Sequence, residues 1–508
     1  MKGVYDKAVE LASRRGFFWP SAKDVYADSP AGFYVYGPLG VRMKEKLISL
    51  WRREIVLREG VNEIETPNIL PIKVFEASGH LEHFFDKLIE CKRCHSKFRV
   101  DKLLEEVLGI EENLEGLPDS ELLRMVLDNG LRCPNCGSSD WGELKNFNLM
   151  FTLAVGAEAE EPNAALRPET TQGSVVEFRK TFMVSRGKLP FALGQVGRVF
   201  RNEISPRRAL IRMREFQQLE VQIFFDPNDP DGVYAEKLKP YLDYKLRFLR
   251  REDRESGKIS EISAGEALRS GYTINSLITY WLVLYQKFFN EVLGFPLERL
   301  RYRELIEGEK AHYSLVHWDL EVYSEDLGWI ELVNNAYRTD YDLLGHMKVS
   351  GVDLRMTDPE GSRKFLPHMY EPSIGVDRVI FHEILLAYRE DEGRVWLQLP
   401  RNLAPIEVGV FPLLKKDGLP ERAREIYSDL INEGILAFYD DSGTIGRRYR
   451  RMDEVGTPLC VTIDYQTLED DTVTLRDRDT MRQVRVGRKE LVGKIKRFLN
   501  SGISIEEL

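Results

Sequence analysis

The stretch FRNEISPRRALIRMREF, residues 200–216, decides how the fold of this chain is interpreted. It sets Arg201, Arg212 and Phe216 around Glu203. Guanidinium groups hold phosphate oxygens in paired hydrogen bonds, a carboxylate accepts from an exocyclic amino group, and an aromatic ring stacks on a base. The stretch therefore predicts a site for a bent ATP molecule that lies over a flat sheet.

A second stretch, EPSIGVDR at 371–378, supplies the other side of the same site. It ends in Arg378, and Gly375 before it allows the backbone to approach a ligand closely. In the first stretch, three further arginines (Arg207, Arg208 and Arg214) add positive charge.

Length and composition limit the class of protein. A chain of 508 residues is too long for one hydrophobic core and predicts two to four domains. No run of about 18 apolar residues occurs, so no membrane span is expected. The N-terminus reads as an amphipathic helix over 3–15 without the apolar core of a leader peptide, which makes a cytoplasmic location the expectation. A net charge of −10 argues against coating nucleic acid through bulk charge, but a local basic face is compatible with RNA binding.

Four of the five cysteines form two Cys-x-x-Cys pairs. Such pairs suit tetrahedral thiolate coordination, and a full set of four thiolates leaves no open position for chemistry. The sequence favours a structural zinc site at Cys91, Cys94, Cys133 and Cys136, with redox dithiols and buried free cysteines as the alternatives. The stretch between the pairs, 101–128, predicts one or two short helices, and Cys460 lies in an apolar strand pattern typical of a core residue.

The rest of the chain divides by pattern. Strand-like runs fill 147–225, the segment 228–300 is interpreted as a helical insertion with its most buried helix at 280–294, and strands resume at 312–324 and 328–343. After about residue 403, strands and helices alternate, which predicts an α/β domain with a parallel-leaning sheet.

These features together resemble the class II aminoacyl-tRNA synthetases. The two stretches quoted above resemble motifs 2 and 3 of that class. The long helix over 41–60, followed by an expected strand over 61–71, resembles motif 1, which forms the dimer interface in the family. An ordinary surface helix and strand is the alternative for that last segment. The resemblance implies an α/β chain: an α+β catalytic core with an antiparallel sheet flanked by helices. Its expected divisions are 1–90 with motif 1, a zinc-binding insertion at 91–146, the catalytic core at 147–402 and an anticodon-binding domain at 403–508.

The resemblance also assigns nucleotide contacts. Arg201 is expected on the α-phosphate, Arg212 and Arg378 near the γ-phosphate, and Mg²⁺ between phosphates, with Glu331 as a candidate ligand. The full set expected around ATP is Arg201, Asn202, Glu203, Ile211, Arg212, Met213, Arg214, Glu215, Phe216, Glu331, Leu332, Gly375, Val376, Asp377 and Arg378, of which Arg201 and Arg378 are the catalytic pair.

Longer matches are similar to glycyl-tRNA synthetases of the homodimeric, archaeal and eukaryotic-like type. They are RPETTQG (167–173), KLPFALGQVGRVFRNEISPR (188–207), RTDYDL (338–343), ASGH (77–80) and FRVD (98–101). The implied reaction is ATP-dependent attachment of glycine to tRNA(Gly) through glycyl-adenylate. The alternatives are a class II enzyme specific for threonine or proline, and a non-catalytic RNA-binding relative.

Glycine has no side chain to bind, so a selective site must hold its ammonium and fill the space that a Cβ would occupy. A methyl group pressed into such a pocket costs about 1–3 kcal/mol. The resemblance nominates, for glycine, Arg99, Glu169, Phe216, Gln217, Gln218, Leu219, Glu220, Arg338, Glu371, Pro372, Ser373, Ile374 and Gly375. Thr171 stands where the family commonly has alanine, and Asn334-Asn335 replaces a small apolar pair.

The C-terminal domain resembles the anticodon-binding domain shared by the glycine, threonine, proline and histidine enzymes. Its run GRRYRRMDE at 446–454 offers guanidinium groups to RNA, and a solvated charged helix is the alternative.

Overall fold

The structure is a computed structural model that describes residues 3–109, 114, 117–204, 206, 208–307, 309–310, 313–358 and 361–508. Arg207, one of the arginines in the first stretch, lies outside the described residues. No described helix has the length and apolar character needed to cross a membrane.

The N-terminal segment packs small elements against the central sheet. They are α1 (Val4–Arg15), β1 (Phe18–Pro20), β2 (Tyr34–Tyr36), α2 (Pro38–Trp51), β3 (Asn62–Glu63), β4 (Ile69–Pro71), α3 (Ile72–Ala77) and α4 (His80–His83). The helix predicted over 41–60 is α2 continued by a π-helical segment at Arg52–Leu57. The single strand expected over 61–71 is wrong: β3 pairs with the central sheet and β4 with a separate three-stranded sheet. Pro67 lies between them, where it offers no N–H to continue a ladder.

The cysteine-containing unit has its own small sheet and core. It comprises β5 (Phe85–Glu90), β6 (Lys97–Arg99), α5 (Val100–Leu108), α6 (Asp119–Asp128) and β7 (Lys145–Asn148). Strand β5 lies between β6 and β7, and both pairings are antiparallel. Leu104, Leu122 and Trp141 belong to the buried cluster beneath the sheet. The two helices between the cysteine pairs match the sequence prediction.

The central region is built on a sheet of nine described strands. Its elements in chain order are β8 (Phe151–Leu153), β9 (Ala164–Leu166), α7 (Thr171–Val184), β10 (Phe191–Phe200), β11 (Glu215–Phe225), α8 (Gly232–Leu238), β12 (Lys245–Leu249), β13 (Ser260–Ser263), α9 (Ala264–Arg269), α10 (Ser276–Lys287), β14 (Leu300–Glu304), β15 (Val316–Ser324), β16 (Gly328–Thr339), α11 (Tyr341–Ser350), β17 (Met356–Thr357), β18 (Lys364–Phe365), β19 (His368–Gly375), α12 (Val376–Ala387), β20 (Tyr388–Asp391) and β21 (Arg394–Leu397). The strand order is β13-β12-β14-β15-β16-β19-β11-β10-β3. Among the described strands of this sheet, only β3–β10 and β12–β14 pair in parallel, so the sheet is antiparallel at its centre, as the resemblance implied.

Part of the interpretation of 228–300 is wrong. The segment contributes β12 and β13 to one edge of the sheet and is not a wholly helical insertion. In β12, Leu246, Phe248 and Leu249 are buried, so the period-two alternation is short and incomplete, and it is hidden in a polar context. Helix α10 is deeply buried, as expected, and Asn275 caps it by accepting a hydrogen bond from the Ile278 N–H at 2.8 Å.

The C-terminal region forms a five-stranded sheet with its own core. Its elements are β22 (Val408–Pro412), α13 (Leu419–Asn432), β23 (Ala437–Tyr439), α14 (Ile445–Glu454), β24 (Leu459–Ile463), α15 (Tyr465–Asp470), β25 (Thr472–Asp477), β26 (Gln483–Gly487) and α16 (Arg488–Asn500). Strands β23, β22 and β24 are parallel, and β25 and β26 close the sheet antiparallel. Cys460 is buried on β24, as expected of a core residue.

Candidate active site

The topology of the central sheet brings the two decisive stretches together. Strands β10 and β11 form a hairpin, and residues 201–214 are the connection between them. Strand β19 pairs with β11, so that Gly375 lies opposite Gln218. Because β19 leads directly into α12, Arg378 occupies the first turn of that helix, beside the hairpin connection. Its Nε donates to the Ile211 carbonyl at 3.2 Å.

Arg201 lies between two aromatic rings. Its guanidinium carbon is 5.3 Å from the ring centroids of both Phe84 and Phe216. Its Nε donates to the Pro168 carbonyl at 3.0 Å, which fixes the orientation of the guanidinium plane. The stacked rings leave this arginine pre-organised for an anion.

Arg212 is held by two carboxylates. Its Nε donates to Glu203 Oε2 at 2.6 Å, and its Nη2 lies 3.2 Å from Asp86 Oδ2. Arg214 differs from Arg212 in its partners, because it donates to two main-chain carbonyls, that of Glu203 at 2.8 Å and that of Ala31 at 2.7 Å. It supports the connection between β10 and β11.

Arg378 pairs with Glu331 on β16, with 3.1 Å between Nη1 and Oε2. Although burial acts to lower its pKa, Glu331, Glu203 and Asp319 together outweigh that effect and the pKa of Arg378 is raised. The neighbouring Asp377 turns to the opposite side, where it accepts from the Gln217 N–H at 2.7 Å and from the Tyr36 hydroxyl at 2.6 Å. Asp377 thus ties α12 to β11.

Other nominated residues support the site from below or beside it. The side chains of six of them belong to the hydrophobic core under the sheet: Ile211, Met213, Leu219, Leu332, Ile374 and Val376. Asn202 donates its main-chain N–H to the Leu149 carbonyl at 2.8 Å, and Glu215 pairs with Arg198. Pro372 lies on β19 opposite Asn335 of β16.

A buried acidic pocket lies in the same sheet. The Arg338 side chain is 0% exposed and contacts Glu169 at 3.2 Å, Glu371 at 2.9 Å and Asp342 at 2.7 Å. The Tyr313 ring covers its guanidinium, with 3.6 Å between the Arg338 Cζ and the ring centroid. One guanidinium thus contacts three acidic side chains, a composition that suits a cation.

Glu220 forms the second half of this pocket. Its Oε1 accepts from Ser373 Oγ at 2.8 Å, and its Oε2 accepts from Thr171 Oγ1 at 3.1 Å and from Thr170 Oγ1. Thr171, which stands where alanine is common, therefore donates a hydrogen bond from its hydroxyl to the buried Glu220 carboxylate. Asn335, the other departure from the family, donates from Nδ2 to the Trp318 carbonyl at 3.0 Å.

The carboxyls of the pocket differ in their electrostatics. Burial raises the pKa of Glu371 well above its usual range despite the nearby Arg338. Burial and the charge of Glu169 raise the pKa of Glu220. Glu169 behaves oppositely, because Arg338 and His80 outweigh burial and hold its pKa well below the usual value. A cation that entered the pocket would favour the ionised form of all three.

Arg99, which the resemblance nominates for glycine, pairs with two carboxylates. Its Nη2 lies 2.7 Å from Asp101 and its Nη1 lies 3.1 Å from Asp86, the carboxylate that also contacts Arg212. The reason is local: Arg99 ends β6 of the cysteine-containing unit, and the α5 helix that follows brings Asp101 back to it. Asp86 thus links Arg99 to Arg212, and the nomination of Arg99 for glycine stays a prediction.

Sequence reasoning missed several residues of the site. Gln172 donates to Glu169 at 3.1 Å and to Asp342 at 2.8 Å, and His80 Nε2 lies 3.6 Å from Glu169. Gln172, His80 and Asp342 lie inside stretches that were quoted for their resemblance, so their presence was a usable signal. Asp86 and Tyr313 had no such local signal.

The four cysteine sulfurs converge on one point. They lie within 4.8 Å of one another, and two pairs, Cys91–Cys136 and Cys94–Cys133, are 3.6 Å apart. Four sulfurs at about 2.3 Å from a tetrahedral zinc ion are about 3.8 Å from one another. The donor set and its spacing fit a thiolate-bound metal.

In the C-terminal domain, the basic run over 446–454 is only partly available to a ligand. Arg448 is buried and donates to the carbonyls of Pro412, Asp441 and Gly443. Arg451 pairs with Asp440, whereas Arg447 and Arg450 are exposed. Two of the four arginines therefore stabilise the domain itself.

Comparisons with known proteins agree with this architecture. Residues 151–384 match the model of the tRNA synthetase class II core domain (G, H, P, S and T), and residues 407–498 match the anticodon binding domain. A glycine–tRNA ligase of Aeropyrum pernix is 41% identical over 99% of this chain and 98% of its own length. The corresponding ligase of Pyrococcus horikoshii is 40% identical over 98% of this chain and 100% of its own length.

Solved structures show the same fold at greater distance. A prolyl-tRNA synthetase of Cryptosporidium parvum, with halofuginone and AMPPNP, superposes with a TM-score of 0.60 at 16% identity, over 98% of this chain and 78% of that one. At this identity the likeness concerns the fold alone. The near-complete coverage at about 40% identity decides the family, and the chain belongs to the glycine–tRNA ligases of class II.

Proposed function

We propose that this chain attaches glycine to tRNA(Gly) in an ATP-dependent reaction that passes through glycyl-adenylate. The observation that carries the proposal is the juxtaposition of three converging arginines with a buried acidic pocket on one antiparallel sheet. The arginines suit a polyphosphate and the pocket suits a small ammonium ion.

The nucleotide would bind at the hairpin connection between β10 and β11. Arg201 would hold the α-phosphate, with Phe216 stacked on adenine and Glu203 accepting from its amino group. Arg212 and Arg378 would hold the γ-phosphate end. Glu331, with its side chain 38% exposed beside Arg378, is the carboxylate placed to meet phosphate-bound Mg²⁺, which supplies further charge neutralisation.

Activation needs no covalent enzyme intermediate. A carboxylate oxygen of glycine attacks the α-phosphorus, the bond from that phosphorus to the β-phosphate bridging oxygen breaks, and pyrophosphate leaves. Arg201 would stabilise the negative charge that builds on the α-phosphoryl oxygens, and its fixed plane would avoid reorganisation during the step. The terminal ribose hydroxyl of tRNA would then displace AMP from the adenylate.

The acidic pocket would select glycine. Its ammonium would lie among Glu169, Glu220 and Glu371, with the Ser373 hydroxyl as a further partner. These side chains are at most 5% exposed, so the space around a bound Cα is already filled. A Cβ would have to displace hydrogen-bonded groups, which is costlier than losing apolar contact.

Other parts of the chain have supporting roles in this proposal. The C-terminal domain would contact tRNA(Gly), two copies would associate through the segment 41–71, and the four cysteines would hold a structural zinc ion. A cytoplasmic location accords with a role in translation.

The alternatives have weaker support. Threonine or proline specificity is not favoured, because the relatives that cover nearly the whole chain are named glycine–tRNA ligases. A non-catalytic RNA-binding relative has no need to keep Arg201, Glu203, Arg212, Phe216 and Arg378 together.

The proposed site is tested by glycine-dependent ATP–pyrophosphate exchange in Arg201→Ala. Exchange should fall about 100-fold or more, the usual cost of losing one pre-organised donor to a developing charge. Arg179→Ala is the matched control, because Arg179 is an exposed arginine on α7. Near-normal exchange in the Arg201 variant would refute the assignment.

A further inference from the structure

The cysteine-containing unit contacts the nucleotide site through a buried carboxylate. Asp86, on β5, is 5% exposed. One of its oxygens lies 3.2 Å from Arg212 Nη2 and the other lies 3.1 Å from Arg99 Nη1. Asp86 therefore links an arginine of the unit to an arginine of the site.

The two carboxylates that hold Arg212 lie on different parts of the structure, one on an irregular connection and the other on a paired strand. Glu203 lies in the irregular connection between β10 and β11, only nine residues from Arg212. Asp86 is 126 residues away in sequence and lies on a strand that is paired on both sides, opposite Phe147 of β7. If Glu203 turns towards the adenine amino group, Asp86 still holds the guanidinium.

The hairpin that carries Asp86 is anchored at the cysteines. Cys91 directly follows β5, and two residues separate Cys94 from β6. The strands pair in register, with Glu90 opposite Lys97 and Leu88 opposite Arg99. The end of the hairpin that contacts Arg212 is thus fixed relative to the cysteine cluster.

We propose that Asp86 is a positioning residue, which orients the Arg212 guanidinium for the terminal phosphate of ATP and so makes the cysteine-containing unit part of the nucleotide site. The inference rests on the proposed function. Without the Asp86 carboxylate, the Arg212 side chain, which is 25% exposed, keeps Glu203 as its partner in the same connection and loses its fixed direction. In such a variant the binding of ATP weakens, whereas the binding of glycine at the acidic pocket does not.

The test is ATP–pyrophosphate exchange in Asp86→Ala, with the KM for ATP and the KM for glycine measured separately. The KM for ATP should rise about tenfold, the effect of losing one charge-assisted contact, while the KM for glycine stays within about twofold. Asp119→Ala is the matched control: it breaks the 2.6 Å pair of Asp119 with Lys87, the residue next to Asp86, and should leave both constants unchanged.

Two further variants separate positioning from a general structural role. Asp86→Asn keeps the size of the side chain and removes its charge, so a folded Asp86→Asn protein must also show a raised KM for ATP. In an Arg212→Ala background, Asp86→Ala should add little to the KM for ATP, because the contact is already absent.

An unchanged KM for ATP in Asp86→Asn, parallel rises in both constants, or additive effects with Arg212→Ala would overturn the proposal. Absence of glycine-dependent exchange in the unaltered protein would instead overturn the proposed function.

Discussion

Replacing Arg338 by alanine is the most informative perturbation of the acidic pocket. The arginine is fully buried, and its Nε and Nη atoms lie 2.7–3.2 Å from Glu169, Asp342 and Glu371. The variant would leave three carboxyl groups in a space with no compensating cation. It would also leave the face of the Tyr313 ring without its 3.6 Å guanidinium contact.

The expected loss is large. Removing one partner of a buried ion pair costs about 3–5 kcal/mol, because the charge that remains is not solvated. At roughly 2 °C per kcal/mol for a large domain, the thermal midpoint of the catalytic region should fall by about 6–10 °C. Differential scanning calorimetry measures this midpoint, and Arg179→Ala serves as the control.

The loss of stability in Arg338→Ala should depend on pH in a definite direction. In the unaltered protein, the pKa of Glu169 is held low by Arg338 against burial, so this pairing stabilises the fold above the unfolded pKa and is lost as pH falls. Without Arg338, only His80 and Gln172 remain to oppose the effect of burial on the pKa of Glu169, so ionised Glu169 stabilises the fold less at neutral pH. The difference in thermal midpoint between Arg338→Ala and the unaltered protein should therefore be largest near neutral pH and smaller on acidification.

Two results would refute this reasoning. One is a midpoint for Arg338→Ala within about 2 °C of the unaltered protein at pH 7.5, since a loss of 3 kcal/mol or more cannot be that small. The other is a difference in thermal midpoint between the two proteins that widens as the pH is lowered towards 5.

Three further predictions concern other parts of the chain. Removing metal with a chelator should lower the thermal midpoint of the cysteine-containing unit, and metal analysis should find one zinc ion per chain; a metal-free, equally stable protein would contradict this. Because burial raises the pKa of Glu371 and Glu220, glycine binding should release protons and should weaken as pH falls. Calorimetric titration in buffers of different ionisation enthalpy measures the proton release, and identical heats of binding in all buffers would count against it. Asp453→Ala should destabilise the C-terminal domain by about 3–5 kcal/mol, since Asp453 is fully buried between Arg394 and Arg476; proteolysis of that domain at an unchanged rate would exclude the effect.

The sequence predicted the parts of the site that are carried by short segments. The stretch at 200–216 and the stretch at 371–378 each contain their own functional groups, and the antiparallel pairing of β11 with β19 brings them together. The four cysteines could be assigned because their spacing alone implies a shared ligand.

Residues whose partners are distant in sequence could not be assigned. Asp86 meets Arg212 only because β5 of the cysteine-containing unit packs beside the hairpin connection, and no local pattern encodes that contact. The same holds for Tyr313 on Arg338, whose contact depends on how the chain enters β15. The edge strands β12 and β13 were missed because five or fewer residues give too short an alternation to outweigh a polar context.

The central claim is that the arginines hold ATP while the acidic pocket holds glycine. ATP–pyrophosphate exchange with each standard amino acid in turn measures both at once. Glycine alone is expected to support exchange; exchange with threonine or proline in its place, or with no amino acid at all, would contradict the claim.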